Sequence, residues 1–156
     1  MTDPSATATI EIAAPAEKIY ALVTDLPRMD KLAEENRGGR WLRGATGPAV
    51  GAKFRGTNRN GSRTWCTTAR VTDLDPGHRF GFDVTVMRGV IPIARWEYTI
   101  EQNGTGCRVT ESTWDRRPHW FRPISEFRTG TTNRAHRNQR HIQRTLERLK
   151  TTAEAS

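Results

Sequence analysis

Short runs rich in threonine, valine and aromatic residues alternate with turn sequences from residue 40 to residue 115, and this alternation constrains the fold most. The turns include Asn60-Gly61 and Pro76-Gly77, which are typical of tight connections between strands. The runs predict strands over 40–44, 52–59, 62–74, 78–89, 93–102 and 107–115. Because no helical pattern separates them, we expect consecutive strands to pair in an antiparallel sheet.

The residues before this region predict one more strand and two short helices. Isoleucine alternates with other residues over 8–13, which predicts a strand with one apolar face. Pro15 begins a predicted helix over 16–24, because proline is tolerated in a first helical turn. A second short helix is predicted over 28–35, before a pair of glycines.

Residues 133–152 contain neither proline nor glycine and predict one long helix. Its apolar side is formed by residues at near-helical spacing: Ala135, Ile142, Leu146 and Leu149, with Asn138 between them. A helix of about 20 residues is about 30 Å long, enough to cover a face of the sheet. The whole order predicts an α+β fold in one domain, 1–156, with flexible ends at 1–7 and 152–156.

Residue parity within the strands predicts an apolar, aromatic face that the long helix covers. The side chains expected on this face or beside it, as ligand-binding residues, are Trp65, Thr67, Phe82, Val84, Trp96, Tyr98 and Asn138. Two further candidates, Trp120 and Phe127, lie in the long connection 116–130, and such aromatic loops often form a lid or wall. Apolar residues with a few polar groups are typical of ligand sites. The alternative is that these aromatic side chains fill a closed core.

Positive charge is concentrated near the end of the chain. The sequence has 25 Lys and Arg against 17 Asp and Glu, a net charge of +8, and ten of those cations lie in 116–150. Four of them form a stripe along the predicted helix: Arg137, Arg140, Arg144 and Arg148. One interpretation is a solvated face. The other is weak, salt-sensitive binding to nucleic acid or another anionic surface without sequence specificity.

Familiar catalytic and metal-binding motifs are absent from the sequence, which has no GxSxG, HExxH, P-loop or GxGxxG pattern. The four histidines are not at ligand spacing, so we predict neither a metal nor a cofactor. Cys66 and Cys107 lie in predicted strands and are interpreted as two buried thiols. Since no apolar run approaches about 18 residues and the start shows no secretory signal, we expect a cytoplasmic protein.

Five segments together resemble one known superfamily. They are Ile10-Glu11-Ile12-Ala13-Ala14-Pro15, Thr68-Ala69-Arg70-Val71-Thr72-Asp73-Leu74-Asp75-Pro76-Gly77, Trp96-Glu97-Tyr98, Cys107-Arg108-Val109-Thr110-Glu111-Ser112 and Arg144-Thr145-Leu146-Glu147-Arg148-Leu149-Lys150. The chain resembles the START-like helix-grip (SRPBCC) superfamily, and most closely its bacterial polyketide cyclase/dehydrase and lipid-transport branch. The resemblance implies about seven antiparallel strands curved around the long helix, with a hydrophobic small molecule held between them.

Three functions follow from this resemblance. The first is binding of a polycyclic or polyketide-like molecule by a carrier, sequestration or resistance protein, as a monomer or homodimer. The second is a cofactor-free polyketide cyclase or aromatase, in which Arg63 and Tyr98 would polarise a carbonyl of a poly-β-keto chain. The third is self-resistance to an enediyne-type antibiotic with DNA affinity through the basic helix, for which Gly89 and Gly130 are positions of interest.

Overall fold

The computed structural model describes residues 2–33 and 35–155. Its strands are β1 (Ala6–Ile12), β2 (Asn36–Trp41), β3 (Lys53–Asn60), β4 (Arg63–Asp75), β5 (Arg79–Val86), β6 (Ile91–Asn103) and β7 (Gly106–Asp115). Its helices are α1 (Ala16–Thr24), α2 (Arg122–Thr129) and α3 (Arg134–Glu154), with 3-10 helices at Leu26–Lys31 and His119–Phe121. Met1 and Ser156, in the predicted flexible ends, and Glu34, in the predicted helix 28–35, lie outside the described residues.

Within the described residues the seven strands form one antiparallel sheet in the order β1-β7-β6-β5-β4-β3-β2. Consecutive strands from β2 to β7 pair, as the turn pattern predicts, and β1 pairs with β7. Shifts of register between β4 and β5 and between β5 and β6 bend the strands locally. This curved sheet, with its long helix after the last strand, confirms the predicted α+β helix-grip fold.

Helix α3 packs against β1, β7 and α1 through most of the apolar stripe that its spacing predicts, whereas Ala135 at the start of that stripe is exposed. Ile142, Leu146 and Leu149 are fully buried in this contact. Each such side chain contributes about 1.5–3 kcal/mol of hydrophobic free energy when it leaves water. The helix begins at Arg134 because the side-chain oxygen of Asn133 accepts a hydrogen bond from the His136 backbone N–H at 3.1 Å.

Strand β2 lies earlier in the chain than the predicted strand 40–44. It includes Gly39, which the sequence pattern treats as part of a break between elements. A Cβ atom at Gly39 would lie 2.1 Å from the carbonyl oxygen of Arg55 on β3, so the absence of a side chain permits this close pairing. The second predicted helix is likewise shifted, and forms the 3-10 helix Leu26–Lys31.

The segment 116–130, predicted as a long loop, contains helix α2 and a preceding 3-10 helix. Pro123 occupies the first helical turn, and Gly130 ends the helix in the left-handed conformation with φ of 71°. Start and stop signals therefore flank this short helix. The sequence did not reveal this helix, because the aromatic residues of the segment were interpreted as part of a loop.

The prediction of two buried cysteine thiols is correct for Cys107 and wrong for Cys66, which is exposed. Cys66 lies between Trp65 and Thr67 on β4. Because successive side chains of a strand point to opposite faces, the inward direction of these two neighbours turns Cys66 toward solvent.

Candidate ligand-binding cavity

A cavity of about 210 Å³ lies between the sheet and helix α3. Strands β3 to β7 supply most of one wall and α3 the other, with further side chains from β2, α2 and the 3-10 helix at 26–31. Small-molecule cavities are typically about 300–1,000 Å³, so the volume of this one lies below that range.

Seven of the predicted ligand-binding residues line this cavity: Trp65, Thr67, Phe82, Val84, Trp96, Tyr98 and Asn138. Strand register explains the grouping, because Phe82 lies directly opposite Trp96 on the neighbouring strand. Among these apolar rings, the Thr67 hydroxyl accepts a hydrogen bond from the Asn58 side-chain amide at 3.0 Å. The wall is therefore apolar and aromatic, with a few polar groups.

Trp120 and Phe127 lie away from the cavity, on the outer side of the segment that contains α2. Trp120 is 64% exposed and Phe127 is 74% exposed. Trp120 contacts Phe121 edge to face, with ring centroids 5.7 Å apart. Helix α2 reaches the cavity instead through Ser125 and Thr129, which the sequence analysis did not select.

Arg63 and Tyr98 are not brought together. Arg63 begins β4, where its Nε donates to the Phe127 carbonyl oxygen at 3.0 Å and its guanidinium lies 6.0 Å from the centre of the Phe127 ring. Tyr98 lines the cavity and Arg63 does not. Gly89, near the turn between β5 and β6, and Gly130, at the end of α2, also lie outside the lining.

Glu111 is a cavity residue that was not among those predicted from residue parity. It lies on β7, directly opposite Tyr98 on β6, and is only 3% exposed. Its Oε1 atom is buried without a hydrogen-bond partner among residues 2–33 and 35–155. The signal was present in the sequence, because Glu111 continues the inward series that Cys107 and Val109 begin.

Burial raises the pKa of Glu111 from its ordinary value of 4.5 to about 8, although hydrogen bonding from the Tyr98 hydroxyl acts in the opposite direction. Burial likewise raises the pKa of Tyr98 well above 10.0, and the adjacent Glu111 adds to the increase. At neutral pH the cavity therefore contains a carboxylic acid beside a phenol. Both groups are then neutral, and each can act as a hydrogen-bond donor.

An ion pair between Asp115, the last residue of β7, and Arg117 also lines the cavity. Arg117 Nη2 lies 2.7 Å from Asp115 Oδ2, and Arg117 Nε lies 3.0 Å from Oδ1. Arg117 Nη1 reaches Ser125 Oγ on α2 at 3.4 Å. Burial alone would raise the pKa of Asp115, but the hydrogen bonds and charge of Arg117 hold it below the usual range. Through the contact of Arg117 with Ser125, this pair connects the end of β7 to α2.

A second charged cluster lines the cavity beside α3 and is centred on Glu35. Glu35 Oε1 accepts from Arg134 Nη1 at 2.7 Å and lies 3.2 Å from His141 Nδ1. Burial would raise the pKa of Glu35, but hydrogen bonding to His141 and the charge of Arg134 outweigh it and lower the pKa. The cluster joins the chain before β2 to α3.

The arginine stripe on α3 is divided by these contacts. Arg137 donates to Asn60 Oδ1 at 2.8 Å and lies 3.9 Å from Glu35, and Arg148 donates to the Leu32 carbonyl oxygen at 3.2 Å. Arg140 and Arg144 are exposed. Arg137 and Arg148 therefore contact groups of the protein itself, which reduces the charge that the stripe can offer to a polyanion.

Among the described residues, no three His, Cys, Asp or Glu side chains are grouped so that they could hold a metal ion. No described helix combines the length and apolar character needed to cross a membrane.

Several solved structures share this architecture. The Polyketide_cyc-like protein Cgl2372 from Corynebacterium glutamicum is 28% identical, with a TM-score of 0.64 over 99% of this chain and 94% of that chain. The di-domain ARO/CYC StfQ from the steffimycin biosynthetic pathway is 10% identical, with a TM-score of 0.71 over 95% of this chain and 49% of that chain. The di-domain ARO/CYC BexL from the BE-7585A biosynthetic pathway is 16% identical, with a TM-score of 0.68 over 96% and 50%. At such low identity, the two ARO/CYC proteins show a shared fold alone.

Sequence comparison assigns the family. Among curated proteins, none matches the chain. The family model for polyketide cyclase/dehydrase and lipid transport matches residues 3–154. This match spans all seven strands and all three α-helices of the described residues. The chain therefore belongs to the polyketide cyclase/dehydrase and lipid transport family, as the resemblance of its sequence predicted.

Proposed function

We propose that this protein binds a hydrophobic, polycyclic or polyketide-like small molecule in the cavity and acts as a carrier or sequestering protein. The observation that supports this most is an open space of about 210 Å³ bounded by aromatic side chains. Flat rings such as those of Trp65 and Trp96 offer large apolar contact areas to a planar ligand.

The polar groups of the cavity support a ligand that is mostly apolar. The charged side chains Asp115 and Arg117 neutralise each other, as do Glu35 and Arg134. The lining also carries uncharged polar groups, among them the neutral Tyr98 and Glu111 pair and the Asn138 amide. The Oε2 atom of Glu35 is buried without a hydrogen-bond partner among the described residues. Such a balance favours an aromatic body with one or two carbonyl or hydroxyl substituents.

Replacing Trp96 with leucine is expected to weaken binding of a planar aromatic probe at least about tenfold, because the ring supplies apolar contact at the cavity wall. The probe is fluorenone, a compact three-ring ketone, and isothermal titration calorimetry measures its dissociation constant. Trp120→Leu is the matched control, since Trp120 is exposed and lies outside the cavity lining. We expect this control to leave the affinity unchanged.

Two outcomes would contradict the proposal. Fluorenone and related polycyclic ketones giving no saturable binding would indicate that the cavity is not a ligand site. Equal weakening by Trp96→Leu and Trp120→Leu would place the ligand on the outer surface. Circular dichroism and thermal unfolding of both variants separate a loss of affinity from a loss of fold.

A second candidate function is cyclisation or aromatisation of a poly-β-keto chain. Two observations favour it. One is the Tyr98 and Glu111 pair in the cavity, and the other is the structural similarity to StfQ and BexL, which are described as ARO/CYC proteins. Both side chains are neutral donors that can polarise a bound carbonyl. The position of Arg63 outside the cavity makes Tyr98 the better candidate of the two residues selected from the sequence.

With a poly-β-keto thioester analogue as substrate, Tyr98→Phe is expected to lower turnover about a hundredfold while leaving substrate affinity within a few-fold. Arg63→Ala is the control variant, and we expect it to retain activity. Product formation is followed by chromatography of the cyclised aromatic product. No product above the uncatalysed background with the unmodified protein would exclude this function for that substrate class and leave binding alone.

A further inference from the structure

We propose that Glu111 determines which ligand binds. Its carboxyl O–H donates a hydrogen bond to a neutral carbonyl oxygen at the buried end of an aromatic ketone or quinone. This inference rests on the proposed binding function and makes its substrate class more specific. It predicts that ligands carrying an ionised carboxylate, including fatty acids, are poor ligands of the same cavity.

Glu111 supplies a buried hydrogen-bonding atom without a partner, on a residue that lines the cavity. Glu111 is 3% exposed and lines the cavity, and its Oε1 atom has no partner among the described residues. A buried polar atom without a partner is unfavourable, because it has lost its hydration without gaining a hydrogen bond. A ligand carbonyl oxygen placed against it would recover part of the free energy lost in this way, so occupancy by such a ligand is favoured.

The neighbours of Glu111 determine which kind of ligand group fits. Tyr98 donates a hydrogen bond to the carboxyl group and thus occupies one acceptor position. A protonated carboxyl group has one O–H, which can then be directed to a hydrogen-bond acceptor. Because its pKa is about 8, Glu111 holds that proton at neutral pH. A carbonyl oxygen of the ligand completes this arrangement without introducing charge.

The two arginines that line the cavity among the described residues are both paired, so they are not free to bind an anionic ligand. Arg117 is paired with Asp115 at 2.7 Å, and Arg134 is paired with Glu35 at 2.7 Å. A carboxylate brought beside Glu111 would therefore lose its hydration without gaining a counter-ion, which is costly in an apolar site. The cavity consequently discriminates between neutral and ionised ligands of similar shape.

The other titratable and charged groups that line the cavity are Glu35 before β2, Tyr98 on β6, Asp115 at the end of β7, Arg117 after it, and Arg134 and His141 on α3. Helix α2 contributes the neutral Ser125 and Thr129, and on β1 the Thr7 hydroxyl donates to the Glu111 backbone carbonyl at 3.3 Å. The pKa values of Glu35 and Asp115 are lowered, so both stay ionised from neutral to alkaline pH. A change in ligand preference across pH 8 that Glu111→Gln abolishes is therefore assigned to Glu111.

The test compares fluorenone with fluorene, which has a methylene group in place of the carbonyl, and with fluorene carboxylic acid. Calorimetry measures each affinity for the unmodified protein, Glu111→Gln and Glu111→Leu. We expect the unmodified protein to prefer fluorenone to fluorene about three- to tenfold at neutral pH, the contribution of one hydrogen bond. Glu111→Gln keeps that preference through its amide N–H, and Glu111→Leu loses it while still binding fluorene.

The pH dependence gives an independent readout. The preference of the unmodified protein for fluorenone is expected to disappear as the pH rises through about 8, because the ionised carboxylate of Glu111 can only accept hydrogen bonds. Glu111→Gln is expected to show no such change. This comparison remains informative even if Glu111→Leu unfolds.

A carbonyl preference that survives in Glu111→Leu, or a carboxylic acid bound as tightly as fluorenone, would overturn the role of Glu111. Binding of fluorene without any preference for fluorenone would overturn it as well, while leaving the proposed binding function intact. Failure of both fluorene and fluorenone to bind would overturn both proposals together.

Discussion

Replacing Glu111 with glutamine is expected to stabilise the protein increasingly as the pH rises from about 4.5 to about 8. In the folded protein the pKa of Glu111 is raised, so over this range the unfolded chain releases its proton and the folded chain retains it. Ionisation then favours the unfolded state, and the unmodified protein loses stability with rising pH. A shift from 4.5 to about 8 corresponds to at most roughly 5 kcal/mol of unfolding free energy.

Urea unfolding at a series of pH values measures this effect as the difference in unfolding free energy between Glu111→Gln and the unmodified protein. The difference should be smallest below pH 4.5 and constant above pH 8. Glu101→Gln is the matched control, because Glu101 is exposed on β6 and its replacement should change the unfolding free energy little. A pH-independent difference for Glu111→Gln would show that the carboxyl group ionises as readily in the folded protein as in water.

Replacing Arg117 with methionine is expected to destabilise the protein by about 3 kcal/mol at neutral pH. The substitution keeps much of the side-chain volume but leaves the Asp115 carboxylate without its counter-ion. That carboxylate is largely buried, and Arg117 makes its shortest contact at 2.7 Å. Removal of Arg117 also detaches β7 from Ser125 on α2. Urea unfolding again measures the change.

The double variant Asp115→Leu/Arg117→Met separates the cost of an isolated charge from the value of the pair. Because it removes both charges, it is expected to recover most of the lost stability. The single variant should also lose less stability at acidic pH, since Asp115 without Arg117 is protonated more readily. A single variant within about 1 kcal/mol of the unmodified protein would indicate that water, not Arg117, solvates Asp115.

The fold was predictable because its determinants are local in the sequence. Turn sequences such as Asn60-Gly61 separate the strands, and the apolar spacing of α3 identifies the face that packs on the sheet. Parity within single strands placed Trp65, Trp96 and Tyr98 on one face, and the structure places all three in the cavity lining. Each of these inferences needs only residues that are close in the chain.

Parity failed where an inward position holds a charged residue type. Glu111 follows Cys107 and Val109 in register, but a glutamate is usually exposed, so residue parity predicted an inward direction only as far as Val109. Its burial depends on the helix that covers β7. Sequence spacing alone does not reveal whether that cover leaves room for water.

The remaining features depend on contacts between distant parts of the chain. Glu35 and Arg134 are 99 positions apart, and nothing in the sequence around either residue identifies the partner. Glu35 and Arg134 form an ion pair, and Arg137 of the arginine stripe lies 3.9 Å from Glu35. Part of the positive charge of the stripe is therefore already close to a carboxylate of the protein itself. The outward direction of Trp120 and Phe127 likewise depends on how α2 packs, since aromatic residues in a loop suggest a lid only if they turn inward.

Titration of the isotopically labelled protein with fluorenone, followed by nuclear magnetic resonance, tests the central claim most directly. The five tryptophan indole N–H signals report on different parts of the surface and the cavity. If fluorenone enters the cavity, the signals of Trp65 and Trp96 shift saturably and that of Trp120 does not. Shifts confined to Trp120, or no shifts at any ligand concentration, would contradict a ligand-binding cavity between the sheet and α3.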